Sequence, residues 1–311
     1  MLDAVAKGMF HLLGSSRSLK RLASRYGMAT PRSFARRFIA GEEIDEALET
    51  CRRIQAQGMQ VTLDHLGESV STLAEADQAT RDYLELMERI APAGIDRNIS
   101  IKLTQIGLGV DRGMAVDNAR RILETARRLD CFVRIDMENF ACVQPTLDVF
   151  DTIWQQEYRN AGIVLQSALR RSESDLEHLL AQRARVRLVK GAYKESKAAA
   201  YPKKADVDRA YARMLRRLLV DGNDPAIATH DVAMLTEAKR VVADHHVAPN
   251  RFEFQMLYGI RRDLQASLVA EGYRLRVYVP YGREWFPYFM RRLGERPANA
   301  LFILRSLAAD R

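Results

Sequence analysis

The sequence predicts an α/β fold, a (β/α)8 TIM-like barrel preceded by extra helices and closed by a final helix that carries an arginine pair over the barrel mouth. Three observations predict it. Short runs of β-branched or apolar residues recur eight times, with helical stretches between them. Several runs are apolar at consecutive positions, the pattern of parallel strands buried on both faces. Polar side chains gather at or just past the C-terminal ends of those runs, the rim where such a barrel builds its site. A chain of 311 residues suits one barrel of this kind.

Taken in order, residues 1–56 read as an N-terminal helical arm and residues 57–311 as the catalytic barrel, together one globular unit. Strands are expected near 60–66, 99–103, 132–137, 163–167, 186–190, 226–229, 252–256 and 275–279. The stretches 116–129, 207–219 and 231–242 between them are helical by period and composition. The polar strand ends are Asp64 and His65, Lys102 and Gln105, Asp136 and Glu138, Gln166, Lys190, Thr229 and His230, Gln255, and Tyr278. Burying polar groups in an apolar barrel without partners is expensive, so their gathering at one rim indicates a site. Ordinary satisfied rim polarity explains two or three of them more easily than all eight strands. No Pro/Gly/Ser-rich linker, low-complexity tract or internal repeat interrupts the chain.

Composition narrows the function. Three cysteines (Cys51, Cys131, Cys142) are too few and too scattered for a disulfide framework or a zinc site, so reduced thiols and a cytoplasmic setting are expected. No apolar run has the length of a membrane span, and no secretion signal is legible. Net charge is +8 and uneven. Lys7, Arg17, Lys20, Arg21, Arg25, Arg32, Arg36 and Arg37 face only Asp3 within residues 1–37. Interleaved with Met9, Phe10, Leu12, Leu13 and Leu22, they suit either an anionic lipid surface or a solvated helical arm, and the solvated arm is the favoured reading. Nucleic acid is not expected, because no recognised binding module accompanies the charge.

The densest chemistry lies in Tyr278-Val-Pro-Tyr-Gly-Arg-Glu-Trp-Phe-Pro-Tyr288-Phe-Met-Arg291-Arg292-Leu-Gly-Glu295. A helix beginning near Pro287 puts Tyr288, Arg291, Arg292 and Glu295 at i, i+3, i+4 and i+7, within one arc of roughly 100°. Two guanidiniums beside a phenol and a carboxylate form a fork suited to a small carboxylate. A solvated basic face with one salt bridge is the plainer alternative.

Setting and order add to this. Ile99-Ser-Ile-Lys102-Leu-Thr-Gln105, Arg134-Ile-Asp136-Met137-Glu138, Ile163-Val-Leu-Gln166, Arg187-Leu-Val-Lys190-Gly-Ala-Tyr193, Ala228-Thr229-His230-Asp231 and Phe252-Glu-Phe-Gln-Met-Leu257 precede that segment. In this order, across roughly residues 57–305, they resemble the successive strand motifs of the proline dehydrogenase family. The resemblance implies FAD-dependent oxidation of L-proline to Δ1-pyrroline-5-carboxylate, with a quinone as the electron acceptor. It implies that Lys102, Arg291 and Arg292 bind the substrate carboxylate, and that Asp136 organises them by pairing with Lys102 or an arginine. Leu257, Tyr278 and Tyr288 would wall the pyrrolidine ring, and a tyrosine at 278 goes with proline rather than 4-hydroxyproline. Arg187 would hydrogen-bond near the flavin N5. Met137, Gln166, Lys190, Gly191, Ala192, Thr229, His230 and Glu295 would contact other parts of FAD, with Tyr193 either packing on the flavin or serving as a structural aromatic. Glu68 would pair with Arg291 as a gate. Two fewer residues between Tyr278 and Tyr288 than in the large bifunctional members, and no second catalytic domain, are similar to the monofunctional branch. A quinone partner would give the basic arm a peripheral contact at the inner face of a membrane.

Other chemistries compete on the residues alone. Lys102 or Lys190, desolvated at a barrel rim, could form a Schiff base as in a class I aldolase, but no glycine-rich phosphate loop follows the last two strands. Gly107-Leu-Gly109-Val-Asp-Arg-Gly113 has its third glycine one place late for a dinucleotide fingerprint. No metal site is expected: Asp64-His65 ends the first strand without a His-x-His pair, and the six histidines lack ligand spacing. A basic barrel scaffold for RNA or lipid leaves the ordered rim polarity unexplained.

Overall fold

The computed structural model describes Met28, residues 33–68 and residues 70–295, apart from the side chains of Phe34 and Glu295. A 3-10 turn, Phe34–Arg37, and helix α1, Ile44–Gln55, come first. Eight strands follow: β1 Gln60–His65, β2 Asn98–Ile101, β3 Phe132–Ile135, β4 Ala161–Gln166, β5 Arg185–Val189, β6 Ala226–Ala228, β7 Glu253–Leu257 and β8 Leu275–Tyr281. Each pairs in parallel with the next, and β8 closes on β1 with Gln60 opposite Arg276 and Tyr281 opposite His65. The (β/α)8 barrel expected from the sequence is the fold. All eight strands fall where periodicity places them, within about two residues at either end.

The helices after the strands are α2 Leu73–Ile90, α3 Arg112–Arg128, α4 Phe140–Gln155, α5 Ser172–Ala181, α6 Lys204–Asp221, α7 Val232–Asp244, α8 Arg262–Ala270 and α9 Trp285–Glu295. Their starts are written in the sequence. Thr72 and Glu75 form a reciprocal capping box on α2, Asp111 accepts from Met114 N on α3 at 2.7 Å, and Asp231 accepts from Ala233 N on α7 at 3.0 Å. Pro287 sits in the first turn of α9, where its missing N–H costs nothing.

Along each strand, alternate residues take opposite faces. Val61 and Leu63, Ile99 and Ile101, Val133 and Ile135, Val186 and Leu188, and Val277 and Val279 are all fully buried in the main apolar cluster. The other set meets inside the barrel and includes several charged side chains. At one level Arg276 Nε donates to Glu253 at 3.0 Å, and Arg134 Nη1 donates to the Arg185 carbonyl at 2.6 Å. Closer to the strands' C-terminal ends lie Asp64, Lys102, Asp136, Arg187 and Tyr278. The interior is therefore more polar than consecutive apolar runs suggest, and each charge is balanced or bonded there.

A second apolar cluster secures α9. Phe38 and Ile39 pack with Leu66, Trp285, Phe286, Tyr288, Phe289, Met290 and Leu293. Trp285 Nε1 donates to Glu42 at 2.9 Å, and Ala40 N donates to the Pro280 carbonyl at 2.9 Å. Gly259 (φ +75°) permits the close approach: a Cβ there would stand 1.7 Å from the Arg37 carbonyl oxygen. The stretch before the barrel thus buttresses the helix that bears the arginines, while α1 packs on β1 and β8. Residues 1–27 and 29–32, which hold most of the basic arm, lie outside the described residues. Among the described residues, no helix is long and apolar enough to cross a membrane.

Candidate active site

The strands' C-terminal ends and α9 enclose a cavity of about 720 Å³. That is within the range of small-molecule and cofactor sites. Its wall brings together Lys102 just after β2, Asp136 and Met137 after β3, Gln166 from β4, and Arg187, Lys190, Gly191, Ala192 and Tyr193 on and after β5. Thr229 and His230 follow β6, Leu257 ends β7, Tyr278 lies in β8, and Tyr288, Arg291 and Arg292 come from α9. Residues separated by up to 190 positions therefore share one space. Arg291 and Arg292 face inward, with Arg292 8 % exposed and its guanidinium 5.0 Å from the centre of the Tyr288 ring. Glu68 lies outside the wall and pairs with Arg291, the partnership expected of it. Glu295 ends α9, and its expected contact lies outside the described side chains.

Five strands contribute to one network at the cavity floor. Arg187 Nη1 donates to Asp136 Oδ1 at 2.7 Å and Nη2 donates to Ser100 Oγ at 3.1 Å. Tyr278 donates its hydroxyl hydrogen to Asp136 Oδ2 at 2.8 Å. Lys102 Nζ donates to Asp64 Oδ1 at 2.9 Å, to the Tyr278 oxygen at 3.3 Å and to Asp136 Oδ2 at 3.5 Å. Asp136 does pair with Lys102 and an arginine, but Arg187 is its closer partner. Lys102 instead leans on Asp64, a residue whose strand-end position was visible in sequence and whose role was not.

Burial works against the Lys102 charge, yet Asp64, Tyr278 and Asp136 outweigh it and hold the ammonium well above the usual lysine range. Schiff-base chemistry needs the opposite, a neutral amine. Burial, reinforced by Asp136 and Asp64, also raises the Tyr278 phenol well above its normal range, so it remains a donor.

Nearer the cavity's outer part, Lys190 Nζ bonds Asp208 at 2.5 Å and Asp231 at 2.6 Å. His230 Nε2 accepts from Leu257 N at 2.9 Å, so in the neutral ring the proton sits on Nδ1. Gln166 Nε2 donates to the Glu138 carbonyl at 2.6 Å. Arg261, in a left-handed conformation (φ 50°) before α8, also lines the wall. No sequence signal marked it, since a loop residue after β7 carries no periodicity. Six basic side chains line the cavity against Asp136 and Asp231, a bias that favours anionic ligands.

A family model described as proline dehydrogenase matches residues 47–305. The chain belongs to the proline dehydrogenase family. It is 41 % identical over 299 residues to proline dehydrogenase 1 of Bacillus subtilis subsp. natto, covering 96 % of this chain and 98 % of that one. It is 43 % identical over 279 residues to the proline dehydrogenase of Deinococcus radiodurans, covering 88 % of this chain and 90 % of that one. Among solved structures, it resembles proline utilization A (PutA) of Bdellovibrio bacteriovorus inactivated by N-propargylglycine, with a TM-score of 0.78 and 28 % identity. That match covers 84 % of this chain and 32 % of the longer PutA chain.

Family membership implies a flavin cofactor, and the wall fits one. Among the described residues, Arg187 Nε is buried without a hydrogen-bond partner although both other guanidinium nitrogens are fixed, which leaves one donor of a wall residue available to an acceptor. Gly191 (φ +108°) leaves a recess that a Cβ would close at 2.8 Å from Gln166 Oε1. The apolar side chains Val164, Val189, Met256 and Leu257 supply a face for a planar ring system.

Proposed function

We propose that this chain oxidises L-proline to Δ1-pyrroline-5-carboxylate with FAD bound in the cavity described above, and that a quinone then accepts the electrons. Proline oxidation, the first step of proline catabolism, is the activity of the family to which the chain belongs. One observation supports the residue assignment above all others. Arg291 and Arg292 of α9 and Lys102, just after β2, converge on the same space as Arg187, Asp136 and Tyr278.

The ring nitrogen of proline gives up a proton and the adjacent carbon a hydride, so that the C–N bond becomes C=N. When bound, the flavin supplies the two-electron acceptor that no side chain can provide. Lys102, Arg291 and Arg292 bind the carboxylate, and three fixed cations on two elements set the ring's orientation as well as its affinity. Asp136 keeps Arg187 and Tyr278 in place. Arg187 Nε donates toward the flavin ring, where a cation favours the electron-rich reduced state. Leu257, Tyr278 and Tyr288 wall the pyrrolidine ring and exclude water. Met137, Gln166, Lys190, Gly191, Ala192, Thr229, His230 and Glu295 contact the rest of FAD. Glu68 closes over the substrate through its pair with Arg291. We place the enzyme in the cytoplasm.

The test is an anaerobic absorption spectrum of the purified yellow protein. Adding L-proline bleaches the flavin band on this reading. Protein that cannot be loaded with FAD, or whose loaded flavin stays oxidised with excess proline, would overturn it.

A further inference from the structure

We infer that Asp64 is a positioning residue that keeps the Lys102 ammonium charged and aimed into the cavity, ready for the substrate carboxylate. The inference rests on the substrate role proposed above for Lys102. Asp64 is fully buried on β1 and does not line the cavity; it stands behind Lys102, with Oδ1 2.9 Å from Nζ. Among the described residues its second oxygen, Oδ2, is buried with no hydrogen-bond partner. A carboxylate with half its acceptor capacity unmet is costly at full burial, so packing alone does not explain it. Lys102 donates to the other oxygen, and the Tyr278 hydroxyl also acts on this carboxylate.

Other groups around Lys102 cannot replace it. Asp136, just after β3, lies 3.5 Å away and is already held by Arg187 at 2.7 Å and Tyr278 at 2.8 Å. Tyr278 of β8 offers a phenol oxygen at 3.3 Å, which is neutral. Glu68, after β1, acts on Lys102 from a distance and is paired with Arg291. Glu138 after β3 is bonded to Thr104, and Tyr83 of α2 to Gln105. Burial is the largest single influence on Lys102, and losing the Asp64 charge removes the largest one that opposes it, which shifts the amine toward its neutral form. A neutral amine at that position offers the carboxylate a weak donor in place of a cation.

The experiment uses the flavin-loaded enzyme and measures kcat/KM for proline from pH 6 to about 11, past the ordinary lysine value. Asp64→Asn keeps the shape and removes the charge. Losing an opposite charge at this distance lowers an amine's pKa by about 1–3 units. The ratio of variant to parent kcat/KM should therefore fall with rising pH, approaching about tenfold per pH unit once Lys102 deprotonates. A ratio independent of pH overturns the inference, because a merely structural carboxylate would lower activity or stability equally at every pH. A second comparison does not need the single variant to fold. Asp64→Leu/Lys102→Met removes both charges, and its proline KM should lie within about twofold of that of Lys102→Met alone. A further large rise in the double variant shows Asp64 acting elsewhere and overturns the inference, leaving the substrate role of Lys102 standing. An unchanged proline KM in Lys102→Met itself removes both.

Discussion

Replacing Tyr278 by phenylalanine removes one oxygen from the middle of the charged network. That oxygen donates to Asp136 at 2.8 Å and accepts from Lys102 at 3.3 Å. A hydrogen bond to a charged group is worth about 1.5–3 kcal/mol when its partner is left unsatisfied. Here each partner keeps another: Asp136 retains Arg187 and Lys102 retains Asp64. The short bond should count near the lower end of that range and the long one for less, so the loss comes to about 2 kcal/mol. For a chain of 311 residues this corresponds to a fall in melting temperature of about 3 °C. Thermal melts of the flavin-loaded Tyr278→Phe variant measure it, and a proline titration alongside should show a raised KM, since the phenol also steadies Lys102. A melting temperature and KM both equal to the parent's would refute the reasoning, because the hydroxyl would then carry neither bond.

Three further perturbations probe other parts of the site. Partial burial works against the Asp231 carboxylate, yet Lys190 and the Ala233 N–H outweigh it and pull it down to about 2. A depressed carboxylate stabilises the fold fully above its unfolded value of about 3.9 and loses that contribution as pH falls toward 2. Asp231→Asn keeps the helix cap, so the separation of urea midpoints between parent and variant should be full at pH 6 and shrink to about half by pH 3; a constant separation contradicts the ion-pair account. Gly191→Ala forces a Cβ to 2.8 Å from Gln166 Oε1 at a backbone angle that L-residues rarely adopt. It should cost about 1–3 kcal/mol and weaken FAD retention, and full flavin content after dialysis would count against it. Glu68→Gln removes a partly exposed ion pair worth about 1 kcal/mol or less. Its melting temperature should hardly move while proline KM changes severalfold, and unchanged kinetics would detach Glu68 from the gate.

How much of this was legible in sequence follows from the physics of each part. The barrel could be read because parallel strands buried on both faces are short, apolar and evenly spaced, and their polar ends mark the rim. The arginine fork could be read because i, i+3 and i+4 share a helical face. Asp64 could be placed at a strand end and given no role, since partner choice depends on which strands oppose across the barrel. Lys102 meets it because β1 and β2 pair with Asp64 opposite Ser100, a register that local pattern does not encode. The same limit hid Arg261, and it hid the buttress of Phe38 and Ile39 on α9, where two stretches some 250 positions apart in sequence meet.

The central claim is that Lys102, Arg291 and Arg292 grip the carboxylate of proline beside the flavin. Anaerobic stopped-flow reduction of the bound flavin by L-proline and by L-prolinamide, which lacks the carboxylate, tests it most directly, with Arg292→Met as the comparison enzyme. The account predicts that the parent is reduced far faster by proline, by about 100-fold or more if two charge-assisted contacts are lost, and that Arg292→Met narrows the gap. Equal reduction by both compounds in the parent would contradict it.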